Sequence, residues 1–143
     1  MSNALFDAGR EGILDGTISV SVASIKVALV RGYTFSAAHK FVSDITGAGG
    51  TLAASADAAL SSKTETGGVF NAGSATWTAP AANANNHYLL IYQSSAVTGG
   101  ADVAATAQRV IAYIDTGTNL PVILNGGNIT VTWDTGSNKI FKL

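Results

Sequence analysis

From Thr17 onward, apolar residues recur at every second position in short runs, and glycine, asparagine or aspartate closes most of the runs. Side chains of period two lie on opposite faces of an extended chain, so each run predicts a strand with one buried face. Ile18, Val20 and Val22 alternate with Thr17, Ser19 and Ser21. The next run sets Ile25, Val27 and Leu29 on one side and Lys26, Ala28 and Val30 on the other. Further strands are expected at residues 41–45, 69–77, 87–93, 109–115, 128–133 and 140–143, with an alanine-rich extended stretch at 51–60. Gly67-Gly68, Gly99-Gly100, Asn125-Gly126-Gly127 and Asp134-Thr135-Gly136 supply backbone that tolerates positive φ, the chemistry of hairpin turns. Strands at roughly ten-residue spacing with such turns predict an all-β fold, an antiparallel β-sandwich or barrel-like domain. Residues 79–86 and 96–108 are expected as surface connections, the second ending in a helical turn.

The first residues follow another period. Ser2 or Asn3 is suited to cap a helix, Leu5, Phe6, Gly9 and Ile13 fall near helical spacing, and Gly16 is placed to end it. Gly9 and Gly12 each weaken such a helix by about 1 kcal/mol relative to alanine. Residues 1–16 therefore form a short N-terminal helix or arm that needs a docking surface, and residues 17–143 a single β domain. A chain of 143 residues suits one domain.

Only 12% of the residues are charged, about half the usual share of roughly 25% in a soluble domain. Eight basic and nine acidic residues leave a net charge of −1, which disfavours electrostatic capture of nucleic acid or an anionic membrane. No apolar run approaches the roughly 18 residues of a membrane helix, and no cleavable leader is expected at the N-terminus. The absence of cysteine removes disulfides, thiolate metal sites and cysteine nucleophiles together. A sparsely charged, nearly neutral chain tends to associate, so other protein surfaces are expected to cover much of this one.

Catalytic patterns are thin. Asp-Thr-Gly occurs at Asp115-Thr116-Gly117 and Asp134-Thr135-Gly136, each after apolar strand residues, as in aspartic proteases. Such enzymes need two carboxylates sharing a proton, each in its own lobe. The motifs are only nineteen residues apart, which leaves no room for that, and two strand-ending turns are the simpler expectation. His39 precedes Asp44 by five residues, which suits an orienting pair or an ordinary surface hydrogen bond. With His87 the only other histidine, nucleophilic hydrolysis and metal binding both lack partners. Gly47-Ala48-Gly49-Gly50 lacks the lysine and hydroxyl of a phosphate loop. Asn128-Ile129-Thr130 fits the glycosylation pattern but is more simply an alternating strand. The aromatic residues are spread over several strands without interleaved basic residues, as core packing requires. The chain is expected to be neither an enzyme nor the holder of a cofactor.

Both ends of the chain carry family-specific wording. The opening Ala4-Leu5-Phe6-Asp7-Ala8-Gly9-Arg10-Glu11-Gly12-Ile13-Leu14-Asp15-Gly16, the run Ile25-Lys26-Val27-Ala28-Leu29-Val30, and the close Asn125-Gly126-Gly127-Asn128-Ile129-Thr130-Val131 with Trp133-Asp134 and Asn138-Lys139-Ile140-Phe141 resemble small virion-associated proteins of tailed bacteriophages. So do Tyr33-Thr34-Phe35, His39 and Val42-Ser43-Asp44-Ile45. The resemblance implies a structural protein of the virion, assembled in the host cytoplasm. A capsid decoration (cement) protein is favoured, bound to the major capsid protein or other virion subunits, as a homo-oligomer with a trimer preferred. Leu5, Phe6, Ile13 and Leu14 are then the expected anchors of the arm, with Arg10 bonding an acceptor on the partner. An arm that packs on its own domain is the plainer alternative. Two other roles remain open: a tail or head–tail connector component, and a receptor- or carbohydrate-binding module using Trp77 beside the asparagines of residues 83–86.

Overall fold

The computed structural model describes residues 3–117 and 119–143. In chain order the elements are β1 (Ala4–Leu5), α1 (Asp7–Leu14), β2 (Ile25–Arg31), α2 (Val42–Gly47), β3 (Thr51–Leu52), β4 (Ala58–Ala59), β5 (Thr64–Thr66), β6 (Val69–Asn71), β7 (Ala75–Trp77), β8 (Asn83–Gln93), β9 (Val110–Ile114), β10 (Val122–Leu124), β11 (Ile129–Val131) and β12 (Phe141–Lys142). Strands in antiparallel sheets dominate, so the fold is all-β with a short N-terminal helix.

The largest sheet runs β1-β9-β8-β2-β3, with β4 also on β2 and β10 also on β8. It is buried on both faces, which explains why its strands read as near-continuous apolar runs. On one face Ile25, Val27, Leu29, Leu89 and Ile91 join Phe70, Trp77, Leu124 and Val131, contributed by the smaller sheets β5-β6-β12 and β7-β11 and by β10. The Trp77 indole crosses this layer and donates to the Val27 carbonyl at 3.2 Å. On the other face Ala28, Val30, Leu90, Tyr92, Val110 and Tyr113 pack with Phe6, Tyr33, Val42 and Ile45. The path from β1 to β3 is open, and among the described residues its end strands do not pair to close a barrel.

One irregularity matters for the arm. Ile91 pairs with Ala112 and Tyr92 with Val110, so Ile111 is an extra residue, a β-bulge in β9. Its carbonyl turns outward and accepts the Phe6 amide at 3.0 Å.

Several expectations need correction. Residues 17–22 form turns: the Ser19 carbonyl accepts both the Val22 and Ala23 amides, at 3.0 and 2.7 Å. Ile18 and Val20 are buried, but Val22 is 67% exposed, so the alternation reflects two anchors on a loop. Residues 41–45 enter a helix because the Asp44 carboxylate accepts the Lys40 and Phe41 amides at 2.8 and 3.0 Å, satisfying donors at its start. The strand expected over 69–77 is broken between β6 and β7, where Gly73 bonds back to the Ser61 carbonyl. The loop expected over 79–86 is half strand, since β8 starts at Asn83 and pairs with β10. Ala105–Ala107 forms the helical turn expected near the end of 96–108.

Candidate functional site

The N-terminal arm is built into the domain. The Asn3 side chain does not cap a helix. It clamps the end of β9, accepting the Asp115 and Thr116 amides at 3.0 and 2.9 Å and donating to the Thr116 carbonyl at 2.9 Å. Ala4 and Leu5 pair with Tyr113 and Ala112 as an edge strand. Phe6, fully buried, sets its ring 4.9 Å from that of Phe35 and packs on the Tyr113 face of the sheet. Helix α1 then follows, beginning after Phe6 and ending at Asp15 and Gly16, whose φ is +81°.

Arg109 fastens the far side of the helix, donating to the Ala8 carbonyl at 3.0 Å and to the Thr17 hydroxyl at 2.8 Å. The same hydroxyl donates to Asp15 at 2.6 Å, and this bond, with the Thr17 amide and the nearby Arg109 charge, holds the Asp15 carboxyl below its ordinary value. Sequence reading missed Arg109 because its partners lie roughly a hundred positions away.

The five arm residues singled out from sequence thus divide. Phe6 is sealed in the core, and Leu5 and Ile13 pack partly against the other cluster. Arg10 is exposed and pairs with Asp7 at 3.2 Å, a contact of little energetic weight in solvent. Leu14 stands 86% exposed at the helix end. Val22 and Val97 are 67% and 63% exposed, on segments that Thr98 ties together by donating to the Thr17 carbonyl and accepting the Ser19 amide. The Val97 loop is itself braced, with the Val97 carbonyl accepting the Ser95 hydroxyl at 2.6 Å and the Gly100 amide at 3.1 Å. This end of the molecule presents apolar side chains on a braced backbone.

The catalytic patterns resolve into local bonds. Asp134 accepts the Gly136 amide at 3.1 Å, closing its turn. Both Asp-Thr-Gly turns border one cavity of about 50 Å³, through Thr116, Gly117 and Asp134, but Asp115 lines a different groove. His39 bonds the Tyr33 hydroxyl at 2.8 Å, while Asp44 caps α2, its carboxyl lowered by the Lys40 and Phe41 amides. His87 is buried against the Asn85 carbonyl at 2.8 Å. Asn128 accepts the Ala79 amide at 2.9 Å. Trp77, proposed from sequence as an exposed binding residue, is 1% exposed and cannot serve a ligand. No cluster of three or more metal-ligating side chains is found among the described residues, and no helix there is long and apolar enough to cross a membrane.

Two further arrangements were invisible in sequence. Tyr92 donates to Asp57, a carboxyl raised above its ordinary value by burial. Nearby, Lys26 and the Ser94 hydroxyl both bond Asp102 at 2.6 Å and lower it. The second is a groove where β2 stops pairing with β8 at Val30 and Tyr88 and the chain turns away through Gly32, at φ +70°. Arg31, Tyr33, Asn85, Asn86 and Tyr88 line about 580 Å³ of it, and Phe35, Tyr113 and Asp115 continue it by about 220 Å³.

Comparison with protein-family models, with curated proteins and with solved structures finds no match.

Proposed function

We propose that this chain is a non-enzymatic structural protein of a tailed-phage virion, a decoration protein that binds the major capsid protein on the outer shell. The supporting observation is exposed apolar side chains on braced backbone: Val22 and Val97 stand in solvent on segments tied by Thr98, and Leu14 stands in solvent at the end of α1, in a chain of which only 12% is charged. Apolar side chains held on a rigid backbone lose little entropy when a partner covers them, which is what a shell-bridging contact requires. The protein acts as a homo-oligomer, a trimer in preference, so that one copy reaches several shell subunits. Of the arm residues, Leu14 and Arg10 face outward for this contact, and Phe6 supports it from inside.

Particles prepared with and without the protein test this role. Bound protein at high copy number, and DNA release at lower temperature from particles lacking it, are expected. Equal release temperatures would remove the cement role, and a low copy number confined to one vertex would assign the chain to the connector.

A further inference from the structure

We propose that the groove beside Tyr33, Asn86 and Tyr88 is a binding site for a neutral oligosaccharide. This rests on side-chain chemistry alone and stands whether or not the chain sits on a virion.

The groove has an aromatic wall and an amide rim. Its wall comes from Tyr88 and Phe35, both half-buried, backed by Tyr33 and Tyr113. Tyr113 stands at the centre, with ring centroids 5.2 Å from Tyr33, 6.2 Å from Phe35 and 6.2 Å from Tyr88. The rings are fixed before any ligand arrives. Tyr33 is held through its hydroxyl, which bonds His39 at 2.8 Å and accepts the Ser36 amide at 3.1 Å. Phe35 is held against buried Phe6. A pyranose ring offers an apolar C–H face that covers such a wall and a rim of hydroxyls that needs polar partners.

Those partners are present. Asn85 and Asn86 are exposed, and among the described residues neither side-chain amide makes a hydrogen bond, nor does the Tyr88 hydroxyl. Asn85 and Asn86 line the groove together with Tyr88. An amide group donates and accepts side by side, matching a pair of neighbouring hydroxyls.

Other occupants fit less well. An incoming peptide strand would need the β8 backbone, but the Asn85 amide is taken by the Asn83 side chain and its carbonyl by His87, both at distances of 2.8–2.9 Å. Arg31 at one end and Asp115 at the other leave the groove near neutral, without the cluster of cations that a phosphate or polyanion requires.

The test titrates the full-length protein with neutral hexasaccharides of α-linked glucose, β-linked glucose, β-linked N-acetylglucosamine and β-linked galactose, read by amide chemical shifts and calorimetry. At least one is expected to bind at millimolar concentration or better and to shift the amides of Asn86 and Tyr88. Tyr88→Ala should weaken it by about tenfold or more, and Asn86→Ala, at an exposed side chain that leaves folding intact, should weaken it severalfold. Ile123→Ser, on β10 and outside the groove, should change nothing. Absence of shifts at these amides with all four sugars overturns the proposal, as does binding that survives both Tyr88→Ala and Asn86→Ala. Shifts at these amides caused by a capsid subunit but by none of the sugars would assign the groove to a protein partner and equally overturn it, while leaving the virion role standing.

Discussion

Gly9 lies so close to the bulged Ile111 that a Cβ at this position would fall 2.6 Å from the Ile111 carbonyl oxygen and 2.8 Å from its Cα. The contact is backbone on both sides, so neither neighbour can swing away. What looks in sequence like a weakness in the helix is the condition for the arm to dock: without a side chain, α1 can lie on the bulge while Phe6 donates to the same carbonyl.

Gly9→Ala should therefore cost about 1–3 kcal/mol, the range for forcing atoms into a filled space, although alanine is the better helix former. Gly47→Ala is the matching control. A Cβ at Gly47, the last residue of α2, meets nothing within 4 Å, and the change should be neutral or stabilise by up to about 1 kcal/mol. Urea midpoints of both variants check the pair, and a stable Gly9→Ala protein would mean that the arm does not dock as described.

Asp44 carries the next prediction. Two backbone amides hold its carboxylate and lower its folded-state pKa below the ordinary value of 3.8. A carboxyl lowered on folding contributes stability that is complete above the unfolded value and is lost as pH falls through the folded one. Asp44→Ala should destabilise by about 1 kcal/mol at neutral pH, as lost caps do. The penalty should shrink below pH 3.8, where wild type loses the same interaction. Denaturation midpoints at pH 7 and near pH 3 measure both effects.

The sign reverses at Asp57. Burial raises its carboxyl above the ordinary 3.8, despite the hydrogen bond from Tyr92 and the charge of Lys26. The folded state thus holds this proton more tightly than the unfolded chain does. The group opposes folding at neutral pH, and that cost is relieved as pH falls through the raised value. Asp57→Asn keeps an acceptor for Tyr92 and removes the charge. It should raise stability at pH 7 relative to wild type and lose that advantage near pH 3, where both side chains are neutral. Tyr92→Phe should instead destabilise by about 1–3 kcal/mol at pH 7, since it leaves a half-buried carboxylate without its donor.

How legible these features were in sequence follows from how local their causes are. The strands at β2, β8 and β9 were readable from their apolar runs, and Gly16 as a helix stop from its φ requirement alone. Residues 41–45 look like a strand by composition; Phe41 does bridge Arg109 in that way, but the Asp44 carboxylate, accepting amides three and four positions earlier, caps a helix that starts at Val42. The extra residue at Ile111 depends on register with β8, which a single strand's pattern does not contain. Trp77 and Tyr88 illustrate the same limit for the candidate sites. Both are aromatic residues near asparagines, yet the small sheets cover one while the end of β2 uncovers the other. The link between the Val22 and Val97 segments depends on Thr98 reaching across from a loop about eighty residues away.

The proposed shell contact is best tested at Leu14, because deleting the arm would confound binding with folding. Removing the N-terminal arm takes away β1, the Asn3 clamp and fully buried Phe6, and Phe6→Ala alone should cost about 3–5 kcal/mol. Loss of capsid binding by such proteins would say nothing about the surface. Leu14, at 86% exposure, supports no part of the core. Leu14→Asp and Val97→Asp should leave the unfolding free energy within about 0.5 kcal/mol of wild type, as exposed substitutions do. On a shell partner the same changes bury an unpaired carboxylate, a penalty large enough to abolish sedimentation with protein-stripped capsids. Ile123→Asp, 56% exposed on β10, carries the same charge change away from the Thr98-tied end and should bind normally. If all three variants bind alike, the apolar end is not the contact; if only Ile123→Asp fails, the contact lies on the β10 side of the molecule.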